Sequence, residues 1–501
     1  MTTPDSGRSL KTHHVVFLVV AAAAPLTVVS AGATAAYATS EMAGVPVGYL
    51  LCGALVAVFA VGFCAMAREI PNTAAFFSYV SAGMGRSHGL AASWLAIVSY
   101  IAMQTALYAL LGFTAQGLIA SVAGVNISWV IWSLLAAAGV AFLGVRSVDV
   151  ASRILGVLLA LEFLAVLIYC VVSLSRPAEG IYTSTLMPSA LFGAGTGTVL
   201  AFTIAGFMGI ESSAMYSEEA QRPEKTIPRA TLIAVTLMAG FYSFSAWAIA
   251  QSVGESSIIA AAQDEGADLF FNFLADNGLG GLVPFIRLLL LTSLFAAVTS
   301  FHNTVARYFM ALGRERVIWP KLGTMGQGGA PVNGSLALSV FSACAIVLAY
   351  IAEKIIGYGD AFPADIVFSW MSNAGGFGLI FLLLITSISV ILYLRKNDNS
   401  YSVFITTIAP AIATVGFGTM FFVVLANFNK LIGDEGLWYL VFIIPGIILA
   451  CGVAGYIRGE FLRYRRPHIY RNIGSGHAPT LDRGEDLGDA DGIDEKVSSR
   501  A

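Results

Sequence analysis

Residues 206–230 read GFMGIESSAMYSEEAQRPEKTIPRA. Glu211 is the only charge in a run that extends from Leu191 to Ser217, and the run ends in a dense cluster of acids, bases and prolines. A carboxyl inside an apolar helix costs about 2.5–3.5 kcal/mol on membrane-insertion scales, so where lipid surrounds the helix it marks a functional position by default. What Glu211 means therefore depends on the solvent around the chain.

Composition settles the solvent. Of 501 residues 57% are hydrophobic and 11% charged, against about 25% charged in soluble domains. The mean hydropathy is +0.79. Such a surface cannot face water, and the fold class is an all-α integral membrane protein. A span needs roughly 20 apolar residues, and twelve such segments lie at about 15–39, 46–67, 90–120, 129–145, 153–174, 191–217, 229–251, 283–311, 333–352, 364–394, 402–426 and 436–457. These runs are long and continuous, which favours helices over barrel strands. The first, Val15 to Thr39, is too long for the apolar core of a signal peptide and reads as the first span.

The formal net charge of −3 says little, but its distribution says more. With the N-terminus in the cytoplasm, the inward loops hold Arg68, Arg86, Arg146, Arg153, Arg222, Lys225, Arg229, Arg314, Arg316, Lys321, Arg395 and Lys396. The outward loops hold only Arg176, Lys354 and Lys430. That excess puts both termini in the cytoplasm and the protein in the plasma membrane. The expected division is a cytoplasmic tail over 1–14, a twelve-helix domain over 15–458, and a cytoplasmic tail over 459–501. The stretch after Tyr456 opens with Arg458, Arg463, Arg465 and Arg466, suited to anionic lipid or to plain positive-inside anchoring, and its acidic end from Asp482 to Glu495 reads as disordered. The longest outward loop, 252–282, is acidic.

Several chemistries find no support. The five cysteines (Cys52, Cys64, Cys170, Cys344, Cys451) sit in or beside apolar runs and read as small buried hydrophobes. No metal-ligand spacing occurs among the six histidines, of which only His302 is near a helix interior. Gly357-Tyr358-Gly359-Asp360 matches an intramembrane aspartyl protease pattern, but no second mid-membrane aspartate accompanies it. Gly193 to Gly197 lacks the preceding strand and the lysine of a nucleotide loop. The sequence thus offers no catalytic residue, no metal site, no cofactor and no nucleic-acid partner.

Two spans carry interruptions. Segment one contains AAAAPLTVVSAG (21–32), where Pro25 lies ten residues after Val15, about 15 Å deep at 1.5 Å per residue. Segment six contains Gly206 and Gly209, twelve and nine residues before Glu218. Proline and glycine are common in membrane helices, but weakened helices at matching places of two inverted halves point to a transporter site. Freed backbone groups there must line a cavity rather than face lipid. Glu162 is the only charge between Arg153 and Arg176. Glu162 and Glu211 are each either a proton carrier or a hydrogen-bonded structural residue. Arg287, near the outer end of segment eight, suits snorkelling or pairing.

At these residues the chain resembles the amino acid–polyamine–organocation superfamily of secondary transporters. The similarity is carried by Gly209-Ile210-Glu211, Glu218-Glu219, Pro223 and Ile227-Pro228-Arg229-Ala230. It is supported by ALGRERVIWPKL…APVNG (311–334) and GVRSVDVASRILGVLLALE (144–162). The resemblance implies a five-plus-five inverted repeat, about 15–174 and 191–394, with discontinuous helices one and six and two added helices over about 402–457. It implies that backbone N–H groups at the helix-one break hold the substrate's carboxylate, and carbonyls of helices one and six its amino group. Carried over, that nominates Ala24, Pro25, Leu26, Thr27 and Val28, then Ile204, Ala205, Gly206, Phe207 and Met208. Many relatives have Gly-x-Gly at the helix-one break. Here the residues are Ala24-Pro25-Leu26-Thr27; Pro25 has no N–H to give, and Thr27 is expected to supply a hydroxyl. Glu162 matches a helix-five position that often holds an ionisable residue, commonly lysine.

The resulting expectation is a secondary active transporter moving amino acids or related amines by alternating access, coupled to protons through Glu162 and Glu211. Gln104 and Tyr108 are expected to face the substrate, with Phe207 an aromatic gate over it. Glu218, Glu219, Arg222 and Arg229 form the cytoplasmic hinge and gate. With no arginine at mid-membrane, a neutral amino acid is favoured over an anion, and a cationic amine paired with Glu211 or Glu162 stays open. The alternatives are an amino acid or polyamine exchanger without proton coupling, and a non-transporting nutrient receptor on the same fold. The partners are the substrate and the bilayer.

Overall fold

The computed structural model describes residues 10–70, 74–146, 152–216, 220–326, 330–357, 359–397, 401–432 and 439–475. Among them every named element is helical, and the sole bridge pairs Leu10 with Ala220 in parallel. This is what apolar solvent demands, because only helices and closed barrels satisfy their own backbone in lipid.

In chain order the helices are α1 (Thr12–Ala22), α2 (Pro25–Ser40), α3 (Val45–Glu69), α4 (Ala75–Met84), α5 (Arg86–Ala123), α6 (Trp129–Arg146) and α7 (Ser152–Ser175). There follow α8 (Thr196–Ala205), α9 (Ser212–Met215), α10 (Pro223–Val253), α11 (Ile258–Glu265), α12 (Leu269–Leu274) and α13 (Val283–Arg314). The last are α14 (Val332–Ile356), α15 (Pro363–Lys396), α16 (Phe404–Ala426), α17 (Phe428–Ile432), α18 (Leu440–Arg465) and α19 (Pro467–Asn472). Proline stands in the first turn of α2, α3, α10, α13, α15 and α19, where its missing N–H breaks no helical bond. Gly124 and Gly357 close α5 and α14 in the left-handed conformation.

Among the described residues nine helical stretches are long and apolar enough to cross a membrane, and ten if the bent pair α1–α2 is one span. The two remaining expected segments are shorter. Segment four is α6, and segment six is split into α8 and α9. Elements too short for a hydropathy argument also form: α4 before α5, and α11 and α12 in the acidic loop. The last long helix passes the expected boundary at 458 and runs to Arg465, with Arg463 and Arg465 in the final turn, where a cation suits the helix dipole. Beyond it Ile469 and Ile473 are buried against the protein, while Arg463, Arg465 and Arg466 stay exposed. Residues 1–9 and 476–501, and with them the expected disordered end, lie outside the described residues.

Helix α5 is the axis of the bundle, packed by α18, α15, α13 and α6, while α3 lies along α10 and α1 along α10. Apolar side chains of α14 and α18, such as Val340, Leu348, Phe442 and Ile457, are exposed and form a lipid-facing belt. Cys344 belongs to that belt rather than to the core, in contrast to buried Cys52, Cys64 and Cys170; all five cysteines are free. Arg287 pairs with Asp268 at 2.6 Å and lies over the Phe271 ring. Asp360 is exposed in the turn after α14, and Tyr358 lies outside the described residues.

Candidate functional site

The interruption of segment one falls just before Pro25 rather than at it. Ala24 takes φ 48° and ψ 70°, the left-handed conformation, and α1 and α2 meet there at 41°. Pro25 is the first residue of α2, a place its fixed φ suits. The strain is carried by Ala24, an L-residue where glycine would be at ease. Beyond it α2 widens into a π turn over Val28–Ala33, and Ser30 and Thr34 donate hydroxyls to the carbonyls of Leu26 and Ser30 at 2.8 and 2.9 Å.

Segment six breaks in the same region. Helix α8 ends at Ala205, and turns follow in which the N–H groups of Phe207 and Met208 donate to the carbonyls of Ile204 and Ala205. Gly209 has φ 103°, a conformation only glycine adopts freely. Glu211 closes the break from within, accepting the Gly209 N–H at 3.1 Å, and it also accepts the hydroxyl of Tyr100 on α5. The two breaks touch: a Cβ on Gly206 would lie 3.1 Å from Val28 Cγ1.

A cavity of about 50 Å³ opens between them. Of the nominated residues Ala24, Thr27, Val28, Ala205, Gly206 and Met208 line it. Pro25, Leu26, Ile204, Phe207, Gln104 and Tyr108 do not. Phe207 packs edge-on against Tyr242, with ring centres 6.1 Å apart, and Gly53 lies beside its ring. Gln104 turns to Tyr108 and to His302 at 3.5 and 3.4 Å, and the Tyr108 carbonyl accepts the Ser133 hydroxyl at 2.7 Å. Their neighbours Met103 and Leu107 face the cavity instead, with Tyr49, Phe202, Ala297, Phe301, Phe368 and Ser372.

No charged residue lines this cavity. Two of its hydroxyls, on Thr27 and Ser372, are buried with no hydrogen-bond partner among the described residues. A buried polar group left unpaired costs about 1–3 kcal/mol, so the cavity is built for something with polar atoms to offer. Ser372 carried no signal in the sequence, being one serine among many in an apolar segment.

Glu162 stands immediately behind the break. Its carboxylate is buried, accepts the Ser293 hydroxyl at 2.8 Å and lies near the backbone of Leu26. One side chain on α7 therefore ties α7 to α13, and both helices pack against the first turn of α2. That first turn is the positive end of a helix dipole and attracts a carboxylate.

Of the expected hinge, Glu218 and Glu219 lie outside the described residues. Arg222 and Arg229 are exposed, and the Arg222 carbonyl accepts the N–H of Thr226 at 2.7 Å to start α10. Close by, the Gln221 N–H donates to Leu10 at 3.0 Å, joining the start of the chain to the segment-six exit. Part of the segment-five approach, 147–151, also lies outside the described residues. Among the described residues no group of three His, Cys, Asp or Glu is placed to hold a metal ion.

Comparison with known proteins gives a consistent result. A family model described as Amino acid permease matches residues 14–467. The chain is 24% identical over 428 residues to the branched-chain amino acid permease BcaP of Lactococcus lactis subsp. cremoris (strain MG1363), a match covering 79% of this chain and 85% of that protein. It is 23% identical over 398 residues to the amino-acid permease GAP5 of Candida albicans (strain SC5314 / ATCC MYA-2876), covering 77% of this chain and 62% of that protein.

Proposed function

The chain belongs to the amino acid permease family, multi-pass membrane proteins that transport amino acids, and from that premise we propose a proton-coupled carrier of neutral aliphatic amino acids. It works by alternating access in the plasma membrane, with twelve spans, the first ten forming an inverted repeat, and both termini cytoplasmic. The observation that carries the substrate reading is the uncharged, largely apolar cavity with two unpaired hydroxyls. A charged side chain would lose its hydration there without gaining a counter-charge. The name of the Lactococcus relative, a branched-chain amino acid permease, supports the same class.

In this reading the substrate's amino group meets the carbonyl ends of α1 and α8, whose oxygens can each accept a second hydrogen bond. Its carboxylate meets the start of α2, where the Thr27 hydroxyl faces the cavity. Glu162 already places a carboxylate on the helix packed against that same helix start. Two anions at one half-helix end repel, most strongly where water is excluded. Proton uptake by Glu162 removes one of them and lets the substrate's carboxylate settle. Proton and substrate then bind together and leave together.

The test is uptake of radiolabelled leucine into proteoliposomes, challenged by an excess of unlabelled amino acids. Valine, isoleucine and leucine are expected to compete, and glutamate and lysine to leave uptake unchanged. Competition by a charged amino acid but by no aliphatic one would overturn the assignment.

A further inference from the structure

A second cavity, of about 230 Å³, opens at the Ser40 end of α2, the end read above as outer. Its floor is the alanine face of α2 (Ala31, Ala35, Ala38), and its walls come from α11 and the first turns of α15. Gln263 on α11 donates its side-chain amide to the Ala38 carbonyl at 3.1 Å and closes one side. A single carboxylate, Asp365, and two rings, Phe368 and Trp370, are among the described residues that line it. A floor of methyl groups with one acid and one indole suits a small ligand bearing an ammonium group, which a carboxylate and an aromatic face both attract.

The outer and inner cavities have one lining residue in common, Phe368. It is 5% exposed and ends the π turn Pro363–Phe368 of α15. Opposite, the π turn Val28–Ala33 of α2 presents Gly32 and Val28 to the inner cavity and Ala31 to the outer one. Single π turns inside helices are rare and gather at functional sites. A phenyl ring set between two of them can move by rotating about its own χ angles, with no helix unwinding. Phe207, the ring expected from sequence to do this, is held away from both cavities.

We propose that the outer cavity is an arrival site for the amino acid, its ammonium group facing Asp365, and that Phe368 is the partition it passes to reach the inner cavity. The proposal rests on the amino acid transport reading but not on proton coupling.

The experiment places S372C in the inner cavity and applies a membrane-impermeant methanethiosulfonate from outside. The full-length protein with its native cysteines and without S372C serves as the blank. F368A is expected to speed S372C labelling by roughly tenfold, a barrier change of about 1.4 kcal/mol, and F368W to slow it. D365N is expected to raise KM for uptake by roughly two- to fivefold, the range of an exposed charge pair. Equal labelling rates for native, F368A and F368W would overturn the partition, and an unchanged KM in D365N would overturn the arrival site. Because labelling needs no transport, a Phe368-dependent rate without uptake would uphold the partition and count against the transport reading alone.

Discussion

The Glu162 carboxylate on α7 accepts the Ser293 hydroxyl on α13 at 2.8 Å. The first turn of α2 packs against both helices, so this contact lies directly behind the break in segment one. Ser293→Ala removes a donor from a buried carboxylate and is expected to cost about 1–3 kcal/mol, read as a lower Tm in detergent. Glu162→Gln keeps an oxygen acceptor for the Ser293 hydroxyl and is expected to lower Tm less. The reverse order of the two Tm values would contradict this account of the contact.

Glu211 depends on Tyr100 in the same manner. Its carboxylate is buried, and its two hydrogen bonds come from the Tyr100 hydroxyl and the Gly209 N–H. Tyr100→Phe takes away one of the two and should destabilise the protein by about 1–3 kcal/mol. A Tyr100→Phe protein as heat-stable as the native one would mean that Glu211 does not rely on this tie.

The backbone at the two breaks makes opposite predictions. Gly209, at φ 103°, has a conformation in which a side chain is strained, so Gly209→Ala is expected to cost about 1–3 kcal/mol. Ala24, at φ 48°, is already strained. Ala24→Gly relieves about 1–2 kcal/mol and costs about 0.5–1 kcal/mol in unfolded-chain entropy, so it should be neutral to mildly stabilising. Melting curves of the two variants check the pair, and a loss in Ala24→Gly as large as in Gly209→Ala would refute it.

A pH dependence follows outside the membrane. Glu179, in the loop after α7, accepts the hydroxyl and N–H of Ser256, and these bonds hold its carboxyl below the usual carboxylate range. A depressed folded-state pKa contributes stability that is complete above the unfolded pKa and is lost as pH falls through the folded one. The Ser256 amide should therefore be protected from hydrogen exchange at neutral pH and lose that protection only below the ordinary glutamate range. Glu179→Gln should weaken protection already at neutral pH. Protection that Glu179→Gln leaves unchanged at neutral pH would count against the contact.

Much of the site was legible because lipid makes exceptions conspicuous. Pro25, Gly206 and Gly209 stood out as interruptions, and Glu162 and Glu211 as lone charges, and these residues do converge on the two breaks. What failed was the assignment of faces. In a membrane bundle apolar residues cover every side of a helix, so hydropathy does not say which side meets a cavity. Polar Gln104 and Tyr108 suit the substrate by their chemistry, yet the Gln104 amide nitrogen turns to His302 across the bundle, and Met103 and Leu107 take the cavity face. Phe207 fails for the same reason, while Phe368 and Ser372 gave no signal. The short helices α4, α11 and α12 fall below the length at which an apolar run is informative.

The central claim is that Glu162 couples proton to substrate. The most direct measurement is leucine accumulation in proteoliposomes with and without an inward proton gradient, for the native protein and for Glu162→Gln. The account predicts gradient-driven accumulation by the native protein, and Glu162→Gln that still binds and exchanges leucine but no longer accumulates it. Accumulation by Glu162→Gln equal to native, or native uptake that ignores the gradient and needs substrate loaded on the far side, would contradict it.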